Sequence, residues 1–367
     1  MKRLTSEGIE KLIPYPPGKP MEELERELGI TGSIKLASNE NPLGPSPLAV
    51  QAILKHVATL NRYPDGSGYY LKSKLGSIFG LRLSQLIIGN GSNELIELII
   101  RTYLTPGEQV IQAFPTFLVY EKMVTSAGCK IESIPLVNFR INLEAILTAI
   151  TPKTKIIFIN NPNNPTGTAL LKGEMTDFLK SIPQDIIVVL DEAYIEFANN
   201  REVANGLDLL NNFPLIIVLR TFSKVYGLAG LRIGYGFSSD DIIDYMNRVR
   251  QPFNANTLAQ VAATAALDDT EFVSNSLKVV RDGLSYLYNQ IENLGLEYLP
   301  TQTNFFLIKV PMGAQKIYEL MLREGVIVRS MESFGLRDYI RISVGLPEEN
   351  ERFIATLKKN LNAENTK

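Results

Sequence analysis

The stretch RTFSKVYGLAGLRIGY, residues 220–235, contains a lysine at the end of an apolar run, then glycines, and an arginine eight positions after the lysine. A lysine that follows a strand is usually a solvated surface charge. Lys224 therefore acquires a functional meaning only if other segments of the chain bring further reactive groups to the same place.

Short apolar runs rich in β-branched residues recur on both sides of this stretch. They are QLIIG (85–89), EQVIQAF (108–114), KIIFIN (155–160), DIIVVLD (185–191), LIIVLR (215–220) and RIGYGF (232–237). Continuous apolar runs of this length are typical of strands covered on both faces. Helical patterns such as SNELIELIIRTYL (92–104) lie between them, so the middle of the chain predicts an α/β fold with a mostly parallel sheet sandwiched by helices.

The pattern changes after about residue 255. A long helical region (257–294) is followed by the strand-like runs FFLIKV (305–310), VIVRS (326–330) and YIRISVG (339–345) and by a closing helix, which indicates a smaller α+β unit. The proline-rich segment IPYPPGKP (13–20) fits neither a helix nor an inner strand and predicts an extended arm.

The length of 367 residues exceeds the size at which one hydrophobic core usually stops growing. We therefore expect an N-terminal arm (1–37), a large domain (38–255) and a small C-terminal domain (256–367).

Composition excludes several classes of function. The net charge of −2 provides no field that would draw the protein to nucleic acid or to an anionic membrane. Cys129 is the single cysteine, which excludes an intrachain disulfide and fits a reducing compartment. His56 is the single histidine, so zinc clusters and Ser-His-Asp triads lack their imidazoles, and we expect no metal. The first twenty residues lack the apolar core of a signal peptide, and we expect a cytoplasmic protein that binds small molecules.

Polar groups follow the carboxyl ends of the predicted strands, where doubly wound sheets bind their ligands. GNGSNE (89–94) leads from a strand directly into a helix, whose free N–H groups favour an anion. The motif is not a dinucleotide fingerprint, because Glu94 replaces the third glycine, and taken alone it also fits an ordinary strand-to-helix turn.

Other strand ends carry further polar side chains. They are Asn164 in NPNNPTG, Asp191 and Tyr194 in DEAY, and Thr221, Ser223, Lys224 and Arg232 in the stretch quoted first. A cofactor with a phosphate, a carbonyl that a lysine can trap and a basic ring nitrogen would use all of these groups together. Pyridoxal phosphate is such a cofactor.

The order of motifs resembles that of the fold-type I aminotransferases and is similar to the histidinol-phosphate aminotransferase family in particular. The motifs are IPYPPG, KLASNENPLGPSP (35–47), NRYPDG (61–66), GNGSNE, NNPTG, DEAYIEF (191–197), TFSKVYGLAGLRIGY, RQPFNAN (250–256), TNFFL, GVIVRS (325–330) and IRISVGLPEEN (340–350). The resemblance implies an aspartate-aminotransferase-like fold, with a seven-stranded sheet in the large domain.

The resemblance also implies roles for individual residues. Lys224 would hold pyridoxal 5'-phosphate covalently and, once displaced, act as the general base, with its pKa lowered by burial and nearby positive charge. Asp191 would face the ring nitrogen. The remaining cofactor contacts would come from Tyr194 and Asn164 at the ring oxygen, Phe117 on the ring face, and Thr221, Ser223, Arg232 and the backbone of Gly91, Ser92 and Asn93 around the phosphate.

Substrate and partner follow from the same resemblance. Tyr63 matches a tyrosine that a neighbouring subunit lends to the phosphate, which implies a homodimer. Arg341 would bind the substrate carboxylate, and Arg329 and Tyr15 the substrate phosphate. The implied reaction moves an amino group between L-glutamate and imidazole-acetol phosphate, or from L-histidinol phosphate to 2-oxoglutarate, in histidine biosynthesis.

Three alternatives remain at this stage. An aromatic aminotransferase or a threonine-phosphate decarboxylase would use the same cofactor residues. A catalytically silent regulatory or binding protein could share the scaffold, although Lys224, Asp191 and Arg232 together speak against it.

Overall fold

The computed structural model describes residue 5 and residues 7–14 and 18–365. Its strands are β1 Ile34–Lys35, β2 Leu86–Gly89, β3 Gln109–Phe114, β4 Lys130–Pro135, β5 Thr154–Asn160, β6 Ile187–Asp191, β7 Ile216–Thr221, β8 Gly234–Phe237, β9 Tyr298–Leu299, β10 Phe305–Lys309, β11 Val326–Ile327, β12 Arg329–Ser330 and β13 Tyr339–Ser343. Its helices are α1 Glu7–Lys11, α2 Met21–Leu28, α3 Pro47–His56, α4 Tyr69–Phe79, α5 Ser92–Tyr103, α6 Val119–Ser126, α7 Leu143–Thr148, α8 Lys172–Ser181, α9 Gly206–Leu209, α10 Asp240–Val249, α11 Thr257–Ala266, α12 Thr270–Asn293, α13 Ala314–Arg323 and α14 Pro347–Asn365.

The central sheet has seven strands in the order β2-β8-β7-β6-β5-β3-β4. Strands β4, β3, β5, β6 and β7 run parallel, and β8 is antiparallel to both of its neighbours. The predicted mostly parallel seven-stranded sheet is thereby confirmed. The sequence had not indicated β4, because this edge strand is half exposed and its residues KIESIP lack a continuous apolar run.

Alternate residues of the inner strands enter two separate apolar clusters on the two faces of the sheet. In β5, Ile157 and Ile159 pack on one side, with residues of α8 and α11, whereas Ile156 and Phe158 pack on the other, with residues of α5, α6 and α10. Burial on both faces explains why these strands read as continuous apolar runs rather than as alternating ones.

A second, antiparallel sheet has the order β12-β13-β10-β9 and packs with α12, α13 and α14 around its own apolar cluster. β1 pairs in parallel with β11, so the segment before the large sheet is attached to the C-terminal part of the chain. The ranges 1–37, 38–255 and 256–367 remain our proposed domain boundaries.

The long helical region expected over 257–294 is divided into α11 and α12. Asp269 begins the second helix, since its carboxylate accepts a hydrogen bond from the backbone N–H of Phe272 and another, at 2.6 Å, from Ser46 Oγ. In the proline-rich segment, Tyr15 lies outside the described residues, and so does the prediction made for it. Within the described part of the chain, no helix has both the length and the apolar character needed to cross a membrane.

Candidate active site

A cavity of about 200 Å³ lies at the carboxyl edge of the central sheet. Its walls are Ser38, Glu40, Ser92, Asn93, Phe117, Asn160, Asn164, Asp191, Ala193, Tyr194, Thr221, Ser223, Lys224, Ala229 and Arg232. The structure therefore brings together the residues predicted to bind the cofactor, with two exceptions. Gly91 is not in the cavity wall but lies against the Arg232 guanidinium, and Tyr63 does not line the cavity.

The strand ends explain why these side chains meet. Asn160 and Asp191 are the last residues of β5 and β6 and are register partners, and β7 ends at Thr221, two residues beyond Leu219, the register partner of Asp191. Asn160 also braces this edge, because its Nδ2 donates to the Asp191 carbonyl (3.0 Å) and its Oδ1 accepts from the N–H of Asn164 (2.7 Å). Asn160 was not among the predicted site residues, although it sits directly before the NPNNPTG turn.

Lys224 presents an amine to this cavity. Its Nζ donates to the Ser38 carbonyl at 3.1 Å and lies 5.6 Å from the centroid of the Tyr194 ring. Burial, aided by the positive charges of Arg341 and Arg232 and opposed by Glu40, lowers the pKa of this lysine to about 8. A pKa near 8 leaves a useful fraction of the amine unprotonated at neutral pH, as a nucleophile and general base requires.

Asp191 is a buried carboxylate, 3% exposed, with two hydrogen-bond donors. Tyr120 Oη donates to its Oδ2 at 2.6 Å, and the N–H of Ala193 donates to its Oδ1 at 3.2 Å. Burial raises the pKa of Asp191 to about 6, although both hydrogen bonds act in the opposite direction. The carboxylate is thus held in place but is costly to keep charged until a cation or an N–H group meets it.

Tyr120 is a site residue that the sequence did not reveal. It lies on α6, is fully buried, and stacks on Phe158 with 4.5 Å between ring centroids. An aromatic residue in FPTFLVY reads as ordinary core, so its contact with Asp191 became evident only from the packing of α6 against the sheet.

The turn before α5 and the Arg232 side chain form a candidate anion site. Gly91 has φ of 77°, and a Cβ atom on it would come within 2.6 Å of Arg232 Nη2. A Cβ atom on Gly234 would equally come within 2.6 Å of the Ser92 nitrogen. Glycine at both positions therefore allows the guanidinium and the N–H groups at the start of α5 to approach one another, which suits a phosphate.

Arg341, one of the predicted substrate residues, contacts a residue that lines the cavity. Arg341 is buried, and it donates through Nη1 to Asn164 Oδ1 (2.6 Å) and through Nη2 to the Ala37 carbonyl (2.7 Å). Arg329 is the register partner of Arg341 in the β12–β13 pair, so the two side chains lie on the same face of this sheet.

Tyr63 is not brought to the cavity of its own chain. It is 83% exposed, and its ring stacks on Phe253 with 4.8 Å between centroids. A role for Tyr63 at a cofactor therefore requires a second copy of the chain.

The set of groups fits pyridoxal phosphate. Arg232 and the glycine-flanked turn suit the phosphate, Lys224 the carbonyl, and the buried Asp191 a protonated ring nitrogen. Phe117, an aromatic in the cavity wall, forms an edge-to-face contact with Tyr120 at 5.6 Å.

Known proteins resemble this chain over nearly its whole length. The sequence model of the family described as aminotransferase class I and II matches residues 31–357. The histidinol-phosphate aminotransferase 1 of Nitrosococcus oceani is 46% identical over 356 residues, covering 97% of this chain and 96% of its own. The histidinol-phosphate aminotransferase of Desulfotalea psychrophila is 48% identical over 354 residues, covering 96% and 93%.

Solved structures agree with the sequence relatives. The histidinol-phosphate aminotransferase of Sinorhizobium meliloti, in complex with pyridoxal-5'-phosphate, has a TM-score of 0.90 at 27% identity and covers 98% of both chains. A Thermus thermophilus aspartate aminotransferase variant, at 22% identity and a TM-score of 0.81, shares the fold over 98% of both chains. The fold is thus that of the fold-type I aminotransferases, and the chain belongs to the class I and II aminotransferase family.

Proposed function

We propose that this chain transfers an amino group between the L-glutamate/2-oxoglutarate pair and the L-histidinol phosphate/imidazole-acetol phosphate pair. The observation that carries the proposal is the cavity in which Lys224, Asp191 and Arg232 meet, with Arg341 in contact with its wall and Arg329 paired with Arg341 in the neighbouring strand. The relatives named histidinol-phosphate aminotransferase, at 46% and 48% identity, support the choice of substrate. The single cysteine favours the cytoplasm as the location of this reaction.

The enzyme is a pyridoxal-phosphate-dependent aminotransferase. When bound, the cofactor supplies an aldehyde that accepts the amino group and a ring that accepts electrons. Lys224 would hold the cofactor covalently and would move a proton at the substrate carbon, while Asp191 would keep a positive charge at the ring nitrogen. Arg232 and the N–H groups at the start of α5 would hold the phosphate, and Tyr194 and Asn164 would bind the ring oxygen.

The pair of arginines supports the proposed substrates. Arg329 and Arg341 lie opposite each other on neighbouring strands. Guanidinium groups bind carboxylates and phosphates in a bidentate manner, so this pair suits glutamate and a phosphomonoester in turn. We propose Arg341 for the carboxylate, and Arg329 together with Tyr15 for the substrate phosphate.

The first prediction compares amino donors. The purified protein with pyridoxal phosphate and 2-oxoglutarate should use histidinol phosphate about 10- to 10²-fold better, in kcat/KM, than histidinol or phenylalanine, because losing a charge-assisted contact costs about 1.5–3 kcal/mol. Arg329→Gln should remove most of this preference and Arg323→Gln, at an exposed arginine of α13, should not. Glutamate formation measures the rate.

Two other outcomes would contradict this substrate. A preference for phenylalanine or tyrosine would indicate an aromatic aminotransferase. Release of carbon dioxide from phosphothreonine without glutamate formation would indicate a decarboxylase. Either result would leave the family assignment intact, because the family rests on the whole chain.

We also propose a homodimer, which an exposed apolar surface supports. This surface is formed by Leu54 (69% exposed), Val57, Leu60, Tyr63 (83%), Tyr69 and Tyr70 (75%), which follow one another along α3, α4 and their connection. So many exposed large apolar side chains in one segment are typical of a protein interface. A second copy covering the patch would bring Tyr63 near the partner's cofactor.

A mixed dimer tests this arrangement. Tyr63→Ala and Lys224→Ala should each lower activity strongly as homodimers. When the two variants are unfolded and refolded together, activity should return to about a quarter of the wild-type level, because one site in each mixed dimer then has both residues intact. A mixture no more active than the two variants measured separately would show that Tyr63 acts within its own chain or not at all.

A further inference from the structure

Glu94 is the third residue of α5, and none of the roles above includes it. A carboxylate in the first turn of a helix can accept hydrogen bonds from the first N–H groups and so compete with a bound anion. In this structure Glu94 Oε2 instead accepts from the backbone N–H of Asn90 at 2.5 Å and from Asn254 Nδ2 at 2.6 Å. Both hydrogen bonds join Glu94 to groups outside α5, so they do not occupy the N–H groups with which the helix can bind a phosphate.

Asn254 connects Glu94 to two further segments. Its Nδ2 also donates to the carbonyl of Ile88 in β2 at 3.0 Å, and its Oδ1 accepts from Arg250 Nη1 at 2.7 Å. A guanidinium can only donate and a carboxylate can only accept, so the orientation of the Asn254 amide is fixed from both sides. Burial lowers the pKa of Arg250, and the negative charge of Glu94 opposes this effect. The two opposite charges therefore stabilise each other across the asparagine.

Arg250 extends this network to the loop that carries Tyr63. Its Nη2 donates at 2.9 Å to the carbonyl of Gly66, the last residue of the motif NRYPDG that contains Tyr63. Phe253, in the same connection between α10 and α11, stacks on the Tyr63 ring with 4.8 Å between centroids. This connection therefore contacts both the Tyr63 loop and, through its asparagine, the start of α5.

We propose that Glu94 is a positioning residue that holds the turn before α5 and, through Asn254 and Arg250, ties this turn to the loop of Tyr63. None of the three residues is among those that line the cavity, so they act through the groups that they hold. The turn serves the chain's own cofactor and Tyr63 serves that of the partner, so one network positions both phosphate contacts that a chain provides. The inference rests on the proposed function and on the proposed homodimer.

The expected effect is specific for the phosphate. Glu94→Ala removes both hydrogen bonds that hold the turn, and the Kd for pyridoxal phosphate should rise about tenfold, the equivalent of one charge-assisted hydrogen bond. The Kd for pyridoxal, which has the aldehyde but no phosphate, should stay unchanged, because Lys224 and Asp191 are not touched. A general loss of structure would weaken the binding of both compounds alike. Absorbance titration of the apoprotein measures both constants.

Further variants test whether the hydrogen bonds carry the effect. Glu94→Gln keeps an oxygen that can accept from both the Asn90 N–H and Asn254 Nδ2, so it should retain the wild-type preference for the phosphate. Asn254→Ala should give the same loss as Glu94→Ala, and the double variant no further loss. Glu97→Ala is the matched control, because this exposed glutamate lies one turn later on α5 and pairs with Arg101 at 3.6 Å. It should leave both constants unchanged.

A mixed dimer, isolated with two affinity tags, tests the link to the Tyr63 loop. One chain carries Lys224→Ala together with Arg250→Lys, and its partner is wild type. The covalent cofactor then lies in the wild-type chain, whose own turn is intact, and Tyr63 comes from the variant. Half-saturation of activity should need several-fold more pyridoxal phosphate than in the same dimer without Arg250→Lys, because lysine lacks the fork that donates to two segments at once.

Three results would overturn the inference: equal losses for pyridoxal and pyridoxal phosphate in Glu94→Ala, a loss in Glu94→Gln as large as in Glu94→Ala, or an unchanged half-saturation in the mixed dimer. If Glu94→Ala folds poorly, Asn254→Asp provides the same comparison, because it keeps the acceptor for Arg250 and loses the donor to Glu94. Failure of the wild-type protein to bind pyridoxal phosphate would instead overturn the proposed function. An inactive mixture of Tyr63→Ala and Lys224→Ala would overturn the homodimer.

Discussion

Lys224→Ala is expected to lower kcat/KM for amino transfer by at least about 10³-fold, because the nucleophile and the general base are lost together. Lys224 is the lysine among the residues that line the cavity, and its amine lies within 3.1 Å of the Ser38 carbonyl. Arg232 and the turn before α5 remain intact in this variant, so it should still bind the cofactor, but without a covalent link. Borohydride reduction should attach the cofactor to the wild-type chain and not to the variant.

The pH dependence of cofactor capture gives the same prediction a second measurement. Since the pKa of Lys224 is lowered to about 8, about a tenth of the amine is unprotonated at pH 7. The rate at which apoprotein captures pyridoxal phosphate should rise about tenfold per pH unit up to pH 8 and level off above it. A rate that keeps rising beyond pH 10 would mean that the amine is not perturbed.

The matched control is Lys172→Ala on α8. That lysine is exposed and pairs with Asp208 at 2.8 Å, away from the cavity. It should keep its activity and its covalent cofactor. If Lys172→Ala lost activity to the same extent, or if borohydride attached the cofactor to Lys224→Ala, the assignment of Lys224 would be wrong.

The sequence predicted correctly those residues of the cavity wall that lie at or just after the ends of inner strands. Asp191 and Thr221 end inner strands whose apolar runs were unmistakable, and the topology of a parallel sheet places such ends together. Lys224 follows the same edge three residues later. For these residues, the apolar pattern of each strand and the parallel direction of the strands were sufficient to predict that they lie together.

The sequence could not reveal residues whose roles arise from contacts between distant segments. Tyr120 reaches Asp191 across 71 positions of sequence, and Asn254 reaches Glu94 across 160. Neither residue type is unusual where it stands, because an aromatic in an amphipathic helix and an asparagine in a connection between helices have ordinary explanations. Similarly, β4 was missed because its side chains are too exposed to give an apolar run.

Asp191→Asn is expected to reduce activity and to stabilise the apoprotein. Activity should fall by about 10²- to 10⁴-fold, because a neutral amide cannot hold the positive charge at the ring nitrogen. Stability should rise because the folded protein no longer has to bury a charged carboxylate. Active-site groups held at a cost to stability are a common origin of such opposite effects.

The sign of the stability change follows from the pKa of Asp191. Its folded value is raised to about 6 from an ordinary 3.8, so between these values the folded chain holds a proton that the unfolded chain has lost. Wild-type stability therefore falls as the pH rises from 4 to 6, by at most about 3 kcal/mol, and Asp191→Asn avoids this loss. Urea unfolding of both apoproteins should show the difference at pH 8 and almost none at pH 4.

Tyr120→Phe is the matched variant, and its effect on stability should have the opposite sign. It keeps the carboxylate but removes the 2.6 Å hydrogen bond to Oδ2, so the pKa of Asp191 should rise further. At pH 8 this apoprotein should be about 1–3 kcal/mol less stable than wild type, because the charged carboxylate has lost a donor. If Asp191→Asn and Tyr120→Phe both destabilised the apoprotein at pH 8, the Asp191 carboxylate would be a net stabilising group of the core. Its burial would then have to be offset by contacts within the protein, not by a positive charge that arrives with the cofactor.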